Sequence, residues 1–253
     1  GVHTDHAPPE AVDGFLRPLI AESAERGARG EPPLFASQMF DGSSLPLEDN
    51  LARSAVLLAD ADAAGVVLEV EIGAVGGEED GVAGPGTASE RLYTTPEDLL
   101  RTAERLGTGE RGRYLLAATF GNVHGVYAPG HVELRPQILA EGQAALAAAH
   151  PGKRFAYVFH GGSGSSPEEI RAAIAAGVVK VNHDTDAQYA FTRAVAGHVL
   201  DHWDEVLRLD GGLGRKAAYD PRAWGAKAEA ALAEHVAGVC ELFGSAGRTL
   251  LGT

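Results

Sequence analysis

The sequence predicts an α/β fold, a TIM (β/α)₈ barrel, and three observations point there. Short β-rich or apolar runs alternate with amphipathic helical stretches, the pattern of a parallel sheet covered by helices. The reactive side chains gather where those runs end, the face on which such barrels carry their chemistry. No G-x-G-x-x-G follows the first run and no G-x-x-x-x-G-K-[ST] occurs, so doubly wound nucleotide-binding sheets lose their best marker.

Six strand-like runs are read in order: Gly1 to His3, Leu34 to Ser37, Val66 to Ile72, Tyr114 to Phe120, Phe155 to Phe159 and Val178 to Val181. After the second run, Asp41 to Ser44 reads as a polar loop. Pro46 can open a helix there, and Leu47 to Ala64 carries apolar residues at helical spacing. Thr95-Pro96-Glu97-Asp98 and Ser166-Pro167-Glu168-Glu169 each give a cap residue, a proline at the first helical position and acid in the first turn. Ala187 to Thr253 is mostly helical and adds no strand, so residues 1–253 are expected to form one barrel domain with a helical C-terminal segment, 187–253.

Composition narrows the function classes. The 253 residues are 45% hydrophobic, enough for one sizeable core, and carry a net charge of −14. Such a chain repels a phosphate backbone, and its basic residues form no run, so nucleic acid is not an expected partner. One cysteine, Cys240, excludes an intramolecular disulfide and Cys-rich zinc modules, in keeping with a reducing cytoplasm. Neither a membrane span nor a leader is read from the sequence.

The chemistry-bearing residues follow the strands. His3-Thr4-Asp5-His6 ends the first run, and period-two alternation puts His3 and Asp5 on one side and His6 on the other. Glu69 and Glu71 share one face of the third strand. Two buried carboxylates need positive company, from a metal or from Lys180 on the last strand. Strand parity also puts Lys180 and Asn182 on one face, so Glu69 is expected to pair with Lys180. The glycine-flanked acidic segment Gly76 to Gly81 reads as a loop that can carry a base. His6, His124 and His160, at three strand ends, could converge on one ion, the donor set of a catalytic zinc site. Gly161 to Ser166 leads into a capped helix whose N–H groups can hold phosphate, and Asn182 to Thr185 offers further donors.

The segments HTDH, LEVEIGAVGGEEDGV, LYTTPEDL, ATFGNVHGVYAPG, FHGGSGSSPEEI, NHDTDAQ and AAYDPRAW together resemble class II, zinc-dependent fructose-1,6-bisphosphate aldolase. The resemblance implies reversible cleavage of fructose 1,6-bisphosphate to dihydroxyacetone phosphate and glyceraldehyde 3-phosphate, in glycolysis and gluconeogenesis. It makes His6, His124 and His160 zinc ligands, and associates Asp41 and Glu71 with a second cation, divalent or monovalent. Asp5 becomes the acid/base at the C4 hydroxyl. Glu79, or alternatively Glu78, becomes the group that exchanges the enolate proton. Gly125, Gly161, Gly162, Ser163, Asn182, Asp184 and Thr185 become substrate-holding groups. Arg222 matches an arginine that reaches a partner subunit's substrate phosphate, so a homodimer or larger homo-oligomer is expected. Family members carry two barrel strands before HTDH, so the six strands here would be the third to eighth, the first two βα units lacking in this chain. The sequence departs from the family pattern at Ala7, Ala128 and His183. Rival readings are a tagatose-1,6-bisphosphate aldolase, a Schiff-base aldolase using Lys180, a zinc hydrolase and a truncated non-catalytic barrel.

Overall fold

The computed structural model describes the chain except residues 74, 75, 80, 81, 84–91, 125–132, 209 and 249–253; at 76–79, 82, 83, 123 and 124 it describes the backbone alone. Two compact units divide the chain, Gly1–Asn182 and His183–Thr253.

The first unit holds, in chain order, β1 (His3–Ala7), α1 (Arg17–Ala28), β2 (Ser37–Asp41), α2 (Leu47–Ala63) and β3 (Val67–Ile72). Then come β4 (Gly76–Glu79), β5 (Val82–Ala83), α3 (Pro96–Leu106), β6 (Tyr114–Ala118), β7 (Val123–His124), α4 (Gln137–Ala149), β8 (Tyr157–Phe159), α5 (Pro167–Ala175) and β9 (Val178–Val181). Strands β1, β2, β3, β6, β8 and β9 form one six-stranded parallel sheet in that order. The sheet is curled into a half-barrel. Lys180 on β9 and Glu69 on β3 are separated by β6 and β8, which in a flat sheet would hold them roughly 14 Å apart. Their charged ends instead meet at 2.9 Å.

Sequence chemistry explains the two faces. On β3, Leu68, Val70 and Ile72 are almost fully buried, as are Leu51, Leu57 and Leu58 of the following helix α2. Burying each such side chain contributes about 1.5–3 kcal/mol. The alternate residues, Glu69 and Glu71, face the concave side and are equally buried. Both anticipated helix starts form complete capping boxes. Asp98 N–H donates to Thr95 Oγ1 and Glu169 N–H to Ser166 Oγ, with Thr95 N–H and Ser166 N–H donating back to the two carboxylates.

The second unit comprises α6 (Thr185–Asp201), α7 (Trp203–Val206), α8 (Lys216–Tyr219) and α9 (Pro221–Leu242). Helix α6 packs along α9. Asp220 caps α9 by accepting from Arg222 N–H, with Pro221 at the first helical position. His198 on α6 is buried with Nε2 2.7 Å from the Ala218 carbonyl oxygen. No helix among the described residues is long and apolar enough to cross a membrane.

Three readings of the sequence need correction. The first strand is His3–Ala7 rather than Gly1 to His3, and the second is Ser37–Asp41 rather than Leu34 to Ser37. β1 runs through the polar cluster that was read as following the first run, and β2 runs on to Asp41, which was read as loop, because pairing with the neighbouring strands rather than apolar character sets their length. Asp41 therefore ends β2. The acidic segment read as a loop contains β4, which pairs parallel with β7 and antiparallel with β5 in a second, three-stranded sheet.

Candidate functional site

The curl brings the C-terminal halves of β1, β2 and β3 and the residue directly after β8 around one cluster. His6, Glu71 and His160 each offer a ligand atom, and the three atoms lie within 4.8 Å of one another. The His6 and His160 rings meet edge to face with centroids 4.6 Å apart. His6 Nδ1 lies 2.9 Å from Asp41 Oδ2 and 3.3 Å from Glu71 Oε2. His160 lies between two carboxylates, with Nε2 2.8 Å from Glu69 Oε1 and Nδ1 3.2 Å from Glu71 Oε2.

Strict alternation could not have produced this. The β1–β2 register shifts between Thr4 and Ala7, a bulge that re-aims the strand. His3 and His6 then both reach the concave side, with His3 Nδ1 2.8 Å from Ser37 Oγ and Nε2 3.4 Å from Glu69. A second register shift, between Tyr157 and Val158, sets Lys180 opposite Val158.

Lys180 balances Glu69. Its Nζ is 2.9 Å from Glu69 Oε2 and donates to Asn182 Oδ1 at 2.8 Å. Asn182 Nδ2 in turn donates to Asp5 Oδ1 at 3.5 Å. A chain of polar contacts thus runs from His160 through Glu69, Lys180 and Asn182 to the exposed carboxylate of Asp5. The anticipated Glu69–Lys180 pair is present, and the ammonium that a Schiff-base reading would need is engaged in holding that chain together.

The electrostatics follow from burial against charge. Burial raises the Glu69 carboxyl, but the hydrogen bond from His160 and the Lys180 charge outweigh it and hold the group down to about 2. Asp41 is likewise held to about 2, with burial opposed by His6 and by Ser43. Burial alone would lower His160; the flanking Glu71 and Glu69 carboxylates instead push it up to about 10. Burial lowers His3, with Lys180 adding to the effect.

Two imidazole nitrogens and a carboxylate oxygen are a fitting donor set for zinc or a similar divalent ion. The charge balance agrees. Glu71 is 2% exposed, and its described ion-pair neighbours are the His6 and His160 rings, which are cationic only when protonated. A cation here would neutralise that carboxylate and compete with the protons on the imidazoles.

The remaining predicted residues distribute as follows. Gly161, Gly162 and Ser163 form the turn after β8; Gly161 has φ +65°, and Gly162 N–H donates to the Asn182 carbonyl, tying the turn to the end of β9. Ser163 is buried, and Ser165 Oγ in the same turn is buried without a partner among the described residues. Backbone pairing sets Gly77 of β4 beside His124 of β7 and Glu78 and Glu79 beside Ala83 and Val82. The side chains of His124, Glu78 and Glu79 and the whole of Gly125 and Ala128 lie outside the described residues. Asp184, Thr185 and Arg222 belong to the second unit. There Asp184 accepts from Thr185 Oγ1 and Gln188 Nε2, while Arg222 is exposed and paired with Asp220.

Two supporting residues were not singled out from the sequence. Asn122, 1% exposed, donates to the His160 carbonyl and accepts from Phe120 N–H, fixing the backbone from which His160 projects. Asn50, 2% exposed on α2, donates to the Glu71 carbonyl at 2.7 Å. An asparagine within the apolar face of a helix, beside Leu51 and Ser54, is the signal that could have found it.

A family model described as fructose-bisphosphate aldolase class-II matches residues 1–248. The fructose-bisphosphate aldolase of Mycobacterium leprae is 55% identical over 253 residues, spanning 98% of this chain and 73% of its own length. That of Streptomyces galbus is 56% identical over 251 residues, with the same shares. Among solved structures, the fructose-bisphosphate aldolase of Campylobacter jejuni matches with a TM-score of 0.78 at 36% identity. That match covers 96% of this chain and 70% of the other.

Proposed function

The chain belongs to the class-II fructose-bisphosphate aldolase family, and on that premise we propose which of its residues carry out the reaction. The enzyme is a carbon–carbon lyase of glycolysis and gluconeogenesis, reversibly cleaving fructose 1,6-bisphosphate into dihydroxyacetone phosphate and glyceraldehyde 3-phosphate. Its six parallel strands are read as consecutive strands of a (β/α)₈ barrel, and its working compartment as the cytoplasm.

His6 and His160, with His124 as the third imidazole, would hold zinc, and Asp41 and Glu71 would serve a second cation position. Bound there, zinc supplies Lewis acidity that polarises the ketone and takes up the charge of the enolate, worth several kcal/mol. Asp5 removes the C4 hydroxyl proton as the carbon–carbon bond breaks. Its exposure leaves it open to substrate, and the Asn182 amide orients its carboxylate. Glu79, or Glu78 beside it, returns a proton to the enolate carbon. Gly125, Gly161, Gly162, Ser163 and Asn182 hold the substrate, chiefly one phosphate, through backbone and hydroxyl donors that need no net positive charge. Asp184 and Thr185 share that task, and Arg222 reaches the phosphate of a partner subunit in a homo-oligomer.

The observation that carries this reading is the convergence of His6, Glu71 and His160 at strand ends, with Asp5 on the same strand as His6. The test is fructose-1,6-bisphosphate cleavage before and after chelation. Activity should vanish with the metal and return with zinc; full activity in metal-free protein would overturn the assignment. Asp5→Asn should then lower kcat roughly 10²–10⁴-fold, the usual worth of a general base, while zinc content and Tm stay constant. A kcat within twofold of the parent would remove Asp5 from that role.

A further inference from the structure

The opposite end of the sheet carries a second feature, unrelated to the cluster at the strands' C-terminal ends. A cavity of about 130 Å³ opens where β6 and β8 begin, lined by Thr108, Gly109, Gly112, Tyr114, Leu146 and Phe155, with Arg113 and Arg154 on its wall. It is well below the 300–1,000 Å³ of pockets for drug-sized ligands, so it suits a compact group rather than a nucleotide.

Its wall carries two guanidinium groups in a chain of net charge −14. Arginines such as Arg101, Arg135 and Arg171 pair with neighbouring carboxylates, whereas others, Arg53 and Arg193 among them, are in no described ion pair. Arg113 and Arg154 pair with none among the described residues, and neither guanidinium makes a described hydrogen bond. Two more cations flank them. Arg111 donates to the Arg105 carbonyl and Lys153 to the Thr108 carbonyl. The one carboxylate of this loop, Glu110, is already satisfied by Thr108 N–H and Oγ1, with the Lys153 charge nearby. Two stretches far apart in sequence, Arg111 to Arg113 and Lys153 to Arg154, are thus brought together by the fold.

The backbone shapes the cavity. Gly112 has φ +130°, and a Cβ there would come within 3.0 Å of Asp62 Cβ and Leu58 Cδ1. The loop is thereby pressed against α2 beside the cavity.

We propose that this cavity binds a small phosphate-bearing anion, with the Arg113 and Arg154 guanidinium groups as its two arms. Planar guanidinium groups match tetrahedral oxyanions through paired N–H donors, and two of them line this cavity. The shared chemistry is the phosphoryl group, from free inorganic phosphate or from the end of a small monoester. The site is independent of the aldolase reaction.

The test is arginine modification with phenylglyoxal, mapped by mass spectrometry on the intact zinc-loaded protein. Millimolar inorganic phosphate should slow modification of Arg113 and Arg154 several-fold and leave the exposed Arg53 and Arg193 unchanged. Uniform protection of all four, or none at Arg113 and Arg154, would overturn the site. Glycerol 3-phosphate at equal concentration separates the sources: stronger protection assigns the site to monoesters, weaker or equal protection to the free anion, and either supports it. In Arg154→Ala, with Tm unchanged, Arg113 should lose its protection; retained protection would disprove the two-armed site. Arg113→Ala gives the reciprocal control if Arg154→Ala folds poorly. Fructose-bisphosphate cleavage should persist in both variants, so failure here and failure of the aldolase reading are separable.

Discussion

Glu69 and Glu71 stand two residues apart on one strand, on the same concave face and equally buried, yet the two sides of the half-barrel treat them differently. Glu69 meets a permanent cation, Lys180, as well as His160 and His3. Glu71 meets His6 and His160, whose charge can be withdrawn by deprotonation or replaced by a metal. The Lys180 side is a settled ion pair, complete within the protein. The His6 side depends on what binds. Identical residues at equivalent positions thus divide into a fixed scaffold and an adjustable site, and the division is set by which neighbour the curl brings opposite each.

The largest effect should come from breaking the settled side. Glu69→Gln leaves Lys180 and His160 without their carboxylate and should cost about 3–5 kcal/mol, a fall in Tm of roughly 6–20 °C, measured on metal-free protein. Lys180→Met should cost a similar amount. The double variant should recover part of the loss, because two neutral groups are then buried instead of one unpaired charge. If Glu69→Gln and Lys180→Met simply add, the two residues are not coupled.

The adjustable side should respond through metal instead. Asp41 fixes the His6 ring through Nδ1, the kind of partner whose loss weakens metal binding about 10–100-fold. Asp41→Asn should show that drop in a competitive zinc titration, with a smaller change in metal-free Tm than Glu69→Gln produces. A large stability loss with unchanged zinc affinity would reverse the roles of the two sides.

A pH dependence is shared by both sides. Glu69 and Asp41 are each held to about 2, below their ordinary values of 4.5 and 3.8. A carboxyl depressed in the folded state stabilises fully above its unfolded pKa and loses that contribution as pH falls through the folded one. Urea midpoints of metal-free protein should therefore decline between about pH 4.5 and 2. Glu69→Gln should flatten that decline, and an unchanged slope would show that the Glu69 carboxyl is not held low.

Legibility in the sequence followed the same division between faces. Val67–Ile72 and the starts of α3 and α5 were readable because outward apolar residues and capping boxes are local signals. β1 and β2 were displaced by a few residues, since a strand whose inward side chains are His, Asp and Ser does not look like an apolar run. The Glu69–Lys180 pair was reachable from parity alone. The side of His6 was not, because a bulge obeys backbone pairing with β2 rather than the pattern of its own residues. Asn50 and Asn122 escaped notice because each acts on a neighbour's backbone carbonyl, a role that leaves no spacing in the sequence.

The bulge between Thr4 and Ala7 has a practical consequence for anyone altering or aligning this strand. It is a point of counting: one residue more than the pairing strictly uses, spent on turning His6 toward Asp41 and Glu71. Substitutions at Thr4 or Ala7 act through packing and hydrogen bonds, and their costs are graded. Removing Thr4 or Asp5 would instead abolish the bulge and leave His3 and His6 two residues apart, on one face by regular alternation, so the extra residue is what lets a strand hold both histidines on one side with Thr4 and Asp5 between them. A one-residue sliding error in an alignment here would exchange a ligand position for a wall position without any outward sign.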